Sequence, residues 1–226
     1  MTPNDRNPAE GGRPAVLRAV PVGSERRVAA LYWEAFGRKL GPALNPPEAG
    51  RAFIAEHLHH DRGIVAVHGG RVVGVAGYQL GGHGLTGGDA GDVLAAYGLF
   101  RSLPRLAVLA LFERTPEPGE LVMDGIAVDA AQRGLGIGGL LLAEVAAVAA
   151  EAGCRRVRLD VIDVNPRARA LYERQGFTAA RTERTPYLRT LLGFGAVTTM
   201  YRPVTAADAS RAGTTGGAGT TGGAGG

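Results

Sequence analysis

Cysteine is almost absent from this 226-residue chain, which contains Cys154 alone. A single cysteine excludes an intramolecular disulfide and gives no sign of an oxidising compartment. The N-terminal residues MTPNDRNPAEGGRP also lack the apolar stretch of a signal peptide. These absences predict a cytoplasmic protein.

A long uninterrupted hydrophobic run is also missing. The most apolar segment, 92–112, is broken by Arg101, Pro104 and Arg105, whereas a membrane-spanning helix needs ~20 consecutive apolar residues. The net charge of +4 is modest, and its basic residues are scattered along the chain and not clustered on one segment. The sequence therefore predicts a soluble protein that binds neither membrane nor nucleic acid.

Neither metal binding nor a cysteine nucleophile is indicated. His57, His59 and His60 form an H-x-H-H cluster, but no cysteine or acidic residue is spaced to complete a metal site. We expect this cluster to be a solvated helix end. Cys154 has no histidine near it in the sequence that could activate its thiol.

The chain is long enough for one good hydrophobic core. We expect a disordered leader over 1–14, one domain over 15–203, and a disordered tail over 204–226 that is rich in glycine, threonine and alanine. Within the domain, 81–120 reads as an inserted glycine-rich loop followed by an apolar helix.

Hydrophobic periodicity predicts an alternation of strands and helices. Two early strands, 63–68 and 71–80, are joined by a Gly69-Gly70 turn, as in a hairpin. A hairpin without a crossover helix favours a mixed or antiparallel sheet. The remaining predicted strands are 15–20, 121–128, 156–161, 177–183 and 196–202, and the predicted helices are 24–40, 47–58, 138–152 and 166–175.

The segment QRGLGIGG, residues 132–139, packs four glycines directly ahead of an apolar helix. Backbone N–H groups at a helix N-terminus attract phosphate, so the segment predicts a phosphate-binding loop. One spelling, G-x-G-x-x-G through Gly134, Gly136 and Gly139, is that of a dinucleotide site, with Asp160 at the position of the ribose-binding acid.

The context disfavours a dinucleotide site. Such a site places its first glycine directly after its strand, whereas here DAAQR separates Val128 from Gly134. Several further βα units would also have to follow Asp160, and the chain has too few residues with that pattern. An NAD-dependent oxidoreductase remains the alternative that is favoured least.

The second spelling, R-x-x-G-x-G, lies in LVMDGIAVDAAQRGLGIGGLLL, which resembles the signature of the GCN5-related N-acetyltransferases. A second segment, NPRARALYERQGF, resembles that family's N-x-x-A-x-x-L-Y-x-x-x-G-F. The resemblance is sharp over 121–177. It implies an α/β fold whose mixed, mostly antiparallel central sheet of six to seven strands is flanked by helices and splayed between the fourth and fifth strands.

The resemblance also implies an acyltransferase that moves an acetyl group from acetyl-coenzyme A to an amine, by direct attack in a ternary complex. An amide near Ile126 would stabilise the oxyanion of the tetrahedral intermediate. A non-catalytic acyl-coenzyme A sensor on the same fold is the alternative, and a homodimer is possible. The implied cofactor-binding residues are Ile126, Ala127, Val128, Gln132, Arg133, Gly134, Leu135, Gly136, Ile137, Gly138 and Asn165.

Three residues are candidates for proton transfer. An alkylamine has a pKa near ~10.4 and must lose a proton before it attacks, which calls for a general base. Glu120 and Asp124 precede the glycine motif and share one face of their strand, so either could serve. Tyr172 matches the tyrosine that in the resembling family protonates the leaving thiolate. The acceptor amine is not identified by any of these residues.

Overall fold

Seven strands form one sheet, in the spatial order β1-β2-β3-β4-β5-β7-β6. The computed structural model describes residues 12–87, 92, 93, 96, 116–186, 189 and 193–215. The strands are β1 (Ala15–Leu17), β2 (Gly63–His68), β3 (Arg71–Gln79), β4 (Glu120–Val128), β5 (Arg156–Ile162), β6 (Thr178–Arg184) and β7 (Ala196–Pro203). The helices are α1 (Glu25–Leu44), α2 (Pro47–Glu56), α3 (Ile137–Glu151), α4 (Pro166–Arg174) and α5 (Ala206–Thr215).

Strand β4 pairs with β5 in parallel, whereas the other neighbouring strands run antiparallel. The parallel pairing covers only 120–122 against 156–158. Beyond Val122 the two strands part and leave a gap in the middle of the sheet. The predicted mixed sheet with a splay between its fourth and fifth strands is thus confirmed.

Helices cover both faces of the sheet. Helix α3, which is apolar around most of its surface, packs with Leu141 and Val145 in one buried cluster against strand residues such as Leu121. Helices α1 and α2 build a second cluster on the opposite face, where Val28 lies with Ala127. The gap between β4 and β5 is therefore a cleft between two helical layers.

A β-bulge interrupts β4 just where it leaves β5. Gly125 is opposite Gly77 on β3, while Met123 is opposite Tyr78, so Asp124 is the extra residue of the bulge. Bulges of this kind bend a strand and increase its twist, and they are frequent beside functional sites. Here the bulge lies at the start of the gap.

The expectation of a disordered tail from 204 onward is wrong for 206–215, which form α5 and lie against α3. Ala212 is buried there, and the buried Asp208 accepts hydrogen bonds from the Thr205 N–H at 2.9 Å and from Arg202 at 2.8 Å. The low-complexity composition of this segment gave no indication that these two residues are buried.

Several predicted segments fall outside the described residues. These are most of the leader (1–11), the end of the tail (216–226) and the larger part of the inserted segment 81–120. Of the expected apolar helix, only 92, 93 and 96 are described, and Val93 is buried in the α1 and α2 cluster. No helix in the described part of the chain combines the length and hydropathy that crossing a membrane requires.

Candidate functional site

The backbone of β4 presents polar groups to the gap. The Asp129 N–H donates to the Val73 carbonyl at 2.8 Å, while Gly74 is opposite Val128. In an antiparallel ladder this makes Val128, and Ile126 two residues earlier, positions whose N–H and C=O groups point away from β3. They face the gap, where β5 no longer pairs with them. An extended ligand with amide groups could pair with this edge.

Ala127 differs from its two neighbours. It is opposite Val75 in a hydrogen-bonded position, so its N–H and C=O belong to the ladder with β3. Its side chain is buried beneath α1. Of the three strand residues that the resemblance implies, the structure presents Ile126 and Val128 to the gap and leaves Ala127 in the core.

The loop that follows β4 is open to a ligand. Gly134 and Gly136 adopt left-handed backbone conformations, with φ of 88° and 75°, and a Cβ at either position would meet no atom within 4 Å. Glycine is required for the conformation, and the backbone of this loop can be approached closely. Between them, the Leu135 side chain is 57% exposed.

Helix α3 begins at Ile137 without a side-chain cap. The first helical hydrogen bond runs from the Leu140 N–H to the Gly136 carbonyl at 3.1 Å. The N–H groups of Ile137, Gly138 and Gly139 precede it and have no partner within the helix. Together with the helix dipole they form a site for an anion at the end of the gap.

The side chains of Gln132 and Arg133 are held by the protein itself. Gln132 Oε1 lies 3.0 Å from His68 Nδ1. Arg133 pairs with Glu34 of α1 at 3.0 Å, and its Nε donates to the Val128 carbonyl at 3.2 Å. The second bond agrees with the orientation of that carbonyl toward the gap. Arg133 therefore joins the loop both to β4 and to α1.

Asn165 caps helix α4. Its Oδ1 accepts a hydrogen bond from the Ala168 N–H at 3.2 Å. Capping uses only the oxygen of the amide, so the Nδ2 group stays available as a donor. One side chain can thus cap the helix and contact a ligand.

Tyr172 lies on α4, on the α3 side of the sheet. Its side chain is buried, with the ring 5.9 Å from that of Phe177. Burial raises the pKa of the Tyr172 hydroxyl, so the phenol is neutral at physiological pH. Within the described ranges its hydroxyl has no hydrogen-bond partner, which leaves it available as a donor to a ligand.

Asp124, the bulge residue, is close to the gap but engaged. Its Oδ1 accepts from Gln79 Nε2 and its Oδ2 from the Leu85 N–H, both at 2.8 Å. The carboxylate thereby ties the bulge to the segment that follows β3.

Glu120 lies at the opposite end of β4, where the strands are still paired. Its side chain is 1% exposed and forms ion pairs with Arg156, whose Nε is 2.6 Å from Oε1, and with Arg158. Six residues of extended strand, ~20 Å, separate Glu120 from Ile126. The structure does not bring Glu120 to the gap, and its carboxylate serves an ion-pair cluster.

Two aromatic residues at the gap escaped the sequence analysis. Tyr32 and Phe36 lie on α1 with ring centroids 4.5 Å apart. Burial, with added contributions from Asp124 and Tyr172, raises the pKa of Tyr32, which shows that the three groups lie within electrostatic reach. Gly125, a glycine inside β4, could have indicated that another group packs closely on the strand backbone at this point, which is where Phe36 lies.

The histidine cluster is part of the fold and not a solvated helix end. His59 Nδ1 lies 2.8 Å from the Gly84 carbonyl, and His60 Nδ1 lies 2.7 Å from that of Val20. Among the residues that the structure describes, no three histidine, cysteine or acidic side chains are grouped so that they could hold a metal ion.

Solved structures share this fold. An acetyltransferase crystal structure is 24% identical, with a TM-score of 0.54 over 84% of this chain and all of that one. A GCN5-related N-acetyltransferase from Kribbella flavida is 18% identical, with a TM-score of 0.57 over 84% of this chain and 98% of that one. The ribosomal-protein-S18-alanine N-acetyltransferase from Escherichia coli is 18% identical, with a TM-score of 0.52 over 85% of this chain and 94% of that one.

The sequence comparisons give a family but no close relative. A search of curated proteins finds no match. The sequence model of the acetyltransferase (GNAT) family matches residues 26–177, which include α1, the bulged strand, the glycine loop and α4. The match covers more than half of the sequence, so the chain belongs to the acetyltransferase (GNAT) family.

Proposed function

We propose that this protein is an N-acetyltransferase that moves the acetyl group of acetyl-coenzyme A to an amine by direct attack. One observation carries the proposal: the gap-facing N–H groups of Ile126 and Val128 lead along β4 to the uncapped N-terminus of α3. Coenzyme A has the matching order of groups, with an amide-rich pantetheine arm followed by a pyrophosphate.

The binding roles follow from the chemistry of each group. The backbone of β4 would pair with the pantetheine amides as an added strand does. The N–H groups from Gly134 to Gly138 would meet the pyrophosphate. Asn165 would donate its free Nδ2 to the pantetheine arm, since its oxygen is used by the helix cap.

Three groups would share the chemical step. The Ile126 N–H would donate a hydrogen bond to the developing oxyanion. Asp124, directly or through one water, would take one proton from the acceptor ammonium and pass it to solvent, and the neutral amine would then attack the acetyl carbonyl. As the tetrahedral intermediate collapses, the C–S bond would break, and Tyr172 would donate a hydrogen bond to the leaving sulfur. The second proton lost by the nitrogen would end on the thiolate, because the ordinary pKa of a thiol is ~8.5. The products are an amide and free coenzyme A.

The acceptor would enter from the α1 side of the gap, where Tyr32 and Phe36 form the wall. Two described residues of the inserted segment 81–120 lie on this side, because the Leu85 N–H donates to Asp124 and Val93 is buried in the α1 and α2 cluster. We propose that this segment shapes the acceptor site or a dimer surface.

A thiol-release assay tests the proposal. Acetyl-, propionyl- and succinyl-coenzyme A are offered with a panel of small amines, amino acids and peptide N-termini. We expect acetyl-coenzyme A to release thiol with at least one class of amine. Binding of coenzyme A without thiol release across the panel would instead indicate a non-catalytic sensor, and stabilisation by NAD in place of coenzyme A would indicate an oxidoreductase.

Two glycines at opposite ends of α3 offer a matched comparison. Gly136 and Gly153 have similar left-handed conformations, with φ of 75° and 68°, and a Cβ at either would be in open space. Replacing each by alanine imposes similar backbone strain, but only Gly136→Ala places a methyl group at the anion site. We expect Gly136→Ala to raise the KM for acetyl-coenzyme A about tenfold or more, and Gly153→Ala to leave it unchanged.

A further inference from the structure

The Phe36 ring lies directly on the backbone of β4. A Cβ built at Gly125 would overlap the tip of this ring, with Cε1 and Cε2 of Phe36 only 2.9 Å away. The contact falls immediately after the extra residue of the bulge and one residue before Ile126. Glycine at 125 therefore lets an aromatic ring approach the main chain beside the proposed oxyanion donor.

Phe36 is itself held firmly. The ring of the buried Tyr32 lies 4.5 Å from it at an angle of 48°. Helix α1 is attached to the sheet nearby, because Arg27 donates to the Val72 carbonyl at 2.9 Å and forms an ion pair with Asp129. The ring is thus held by a helix that is fixed to the sheet, and it packs on the strand at the bulge.

The strand needs such support at this point. Asp124 is the extra residue of the bulge, Gly125 has no side chain to pack, and β5 no longer pairs with β4 beyond Val122. The sheet consequently holds the peptide that links Gly125 to Ile126 from the β3 side alone, through the pairing of Gly125 with Gly77 and of Ile126 with Ala76. A ring packed on Gly125 supplies the second constraint.

We propose that Phe36 is a positioning residue, which holds the peptide between Gly125 and Ile126 so that the Ile126 N–H points at the acyl carbonyl. This inference rests on the proposed acetyl transfer and adds the group on α1 that sets its oxyanion donor. Because the energy of such a hydrogen bond depends steeply on geometry, a displaced donor weakens the transition state more than it weakens binding.

The C=O stretch of bound acetyl-coenzyme A measures the hydrogen bond that the Ile126 N–H donates to the acetyl carbonyl. Acetyl-coenzyme A labelled with ¹³C at the acetyl carbonyl is bound to the protein, and its C=O stretch is measured by isotope-edited infrared spectroscopy. We expect a lower wavenumber on the wild-type protein than on Phe36→Ala, and a kcat about 10²-fold lower in the variant. The KM for acetyl-coenzyme A and the Kd of coenzyme A without its acetyl group are expected to change little.

Phe53 gives the control for a purely structural effect. Phe53 lies on α2 and belongs to the same buried cluster, but its ring stacks on His57, with centroids 4.3 Å apart, and not on β4. Phe53→Ala is expected to lower the thermal stability while leaving the C=O wavenumber at its wild-type value. If Phe36→Ala does not fold, Phe36→Leu, which keeps more of the packing, is measured in the same way.

A second test enlarges the side chain at 125 and shortens the one at 36, first separately and then together. We expect Gly125→Ala to lower kcat about 10²-fold, because its methyl group clashes with the ring. Combining it with Phe36→Ala is expected to recover at least part of this loss, since the methyl group then fills vacated space.

The outcomes separate the two proposals. The proposed function would be contradicted if the wild-type protein released no thiol and left the carbonyl wavenumber at its value in water. An active wild-type protein whose carbonyl wavenumber is the same in Phe36→Ala would overturn the role of Phe36 alone.

Discussion

Leu171 of α4 lies against Gly138 in the first turn of α3, so closely that a Cβ at Gly138 would be 2.8 Å from Leu171 Cδ2. This glycine of the motif is therefore required for helix packing as well as for access to the backbone. The contact brings α4, and with it Tyr172, to the end of the gap where the anion site lies.

The substitution Gly138→Ala is expected to push α4 away from α3. Overpacking of this kind costs about 1–3 kcal/mol of the free energy of unfolding, and kcat falls because Tyr172 moves with its neighbour. Urea denaturation and steady-state kinetics measure the two effects. Gly139→Ala is the control, because its Cβ would meet only the flexible end of Gln175 at 3.2 Å. Equal losses from both variants would contradict the packing role of Gly138.

Replacing Tyr172 by phenylalanine is expected to lower kcat about 10²-fold, because the leaving sulfur loses its hydrogen-bond donor. Burial raises the pKa of this hydroxyl, so the wild-type enzyme keeps its donor to pH 10 and beyond. The ratio of wild-type to variant kcat is thus expected to be constant between pH 6 and 9. Tyr201→Phe, at a ring that packs under Arg156, is the control. An unchanged kcat in Tyr172→Phe would remove its role as a donor.

The buried tyrosines predict a loss of stability in alkali. Burial raises the pKa of both Tyr32 and Tyr172 above the unfolded value of ~10. Above that pH the unfolded chain loses these protons before the folded protein does, so the free energy of unfolding falls as the pH rises. Thermal melts between pH 8 and 11 measure the slope. Tyr32→Phe is expected to make the slope shallower, and an identical slope would argue against the burial of Tyr32.

Glu120→Gln and Asp124→Asn are expected to have opposite consequences. Glu120→Gln leaves Arg156 and Arg158 without their shared carboxylate, which costs about 3 kcal/mol of stability and leaves kcat unchanged. Asp124→Asn keeps an acceptor for the Leu85 N–H but removes the charge that would take the amine proton. Its kcat/KM is expected to fall while its melting temperature changes less. Chemical denaturation and thiol release, measured on both variants, separate the structural carboxylate from the proposed catalytic one.

The features that the sequence predicted best are those that a short segment determines alone. The glycines at 134 and 136 adopt the conformations that only glycine favours, and Asn165 caps the helix that Pro166 begins. The order of strands and helices from 15 to 203 and the splay also follow from the two motifs and the family that they indicate.

The remaining features depend on contacts between distant segments. Nothing near Phe36 in the sequence indicates that its ring meets Gly125, and nothing near Glu120 reveals that two arginines of the next strand surround its carboxylate. The helix at 206–215 was missed for a similar reason, because one buried aspartate and one buried alanine outweigh a composition that is typical of disorder.

Because β4 and β5 part beyond Val122, β4 has an unpaired edge inside the sheet. Edge strands usually invite pairing with other chains, but here helices pack on both faces of the sheet beside this edge. A bound pantetheine arm would then complete the sheet as a strand that the polypeptide itself does not supply. The amide hydrogens of Ile126 and Val128 are accordingly expected to exchange quickly with solvent until coenzyme A binds, and slowly from then on.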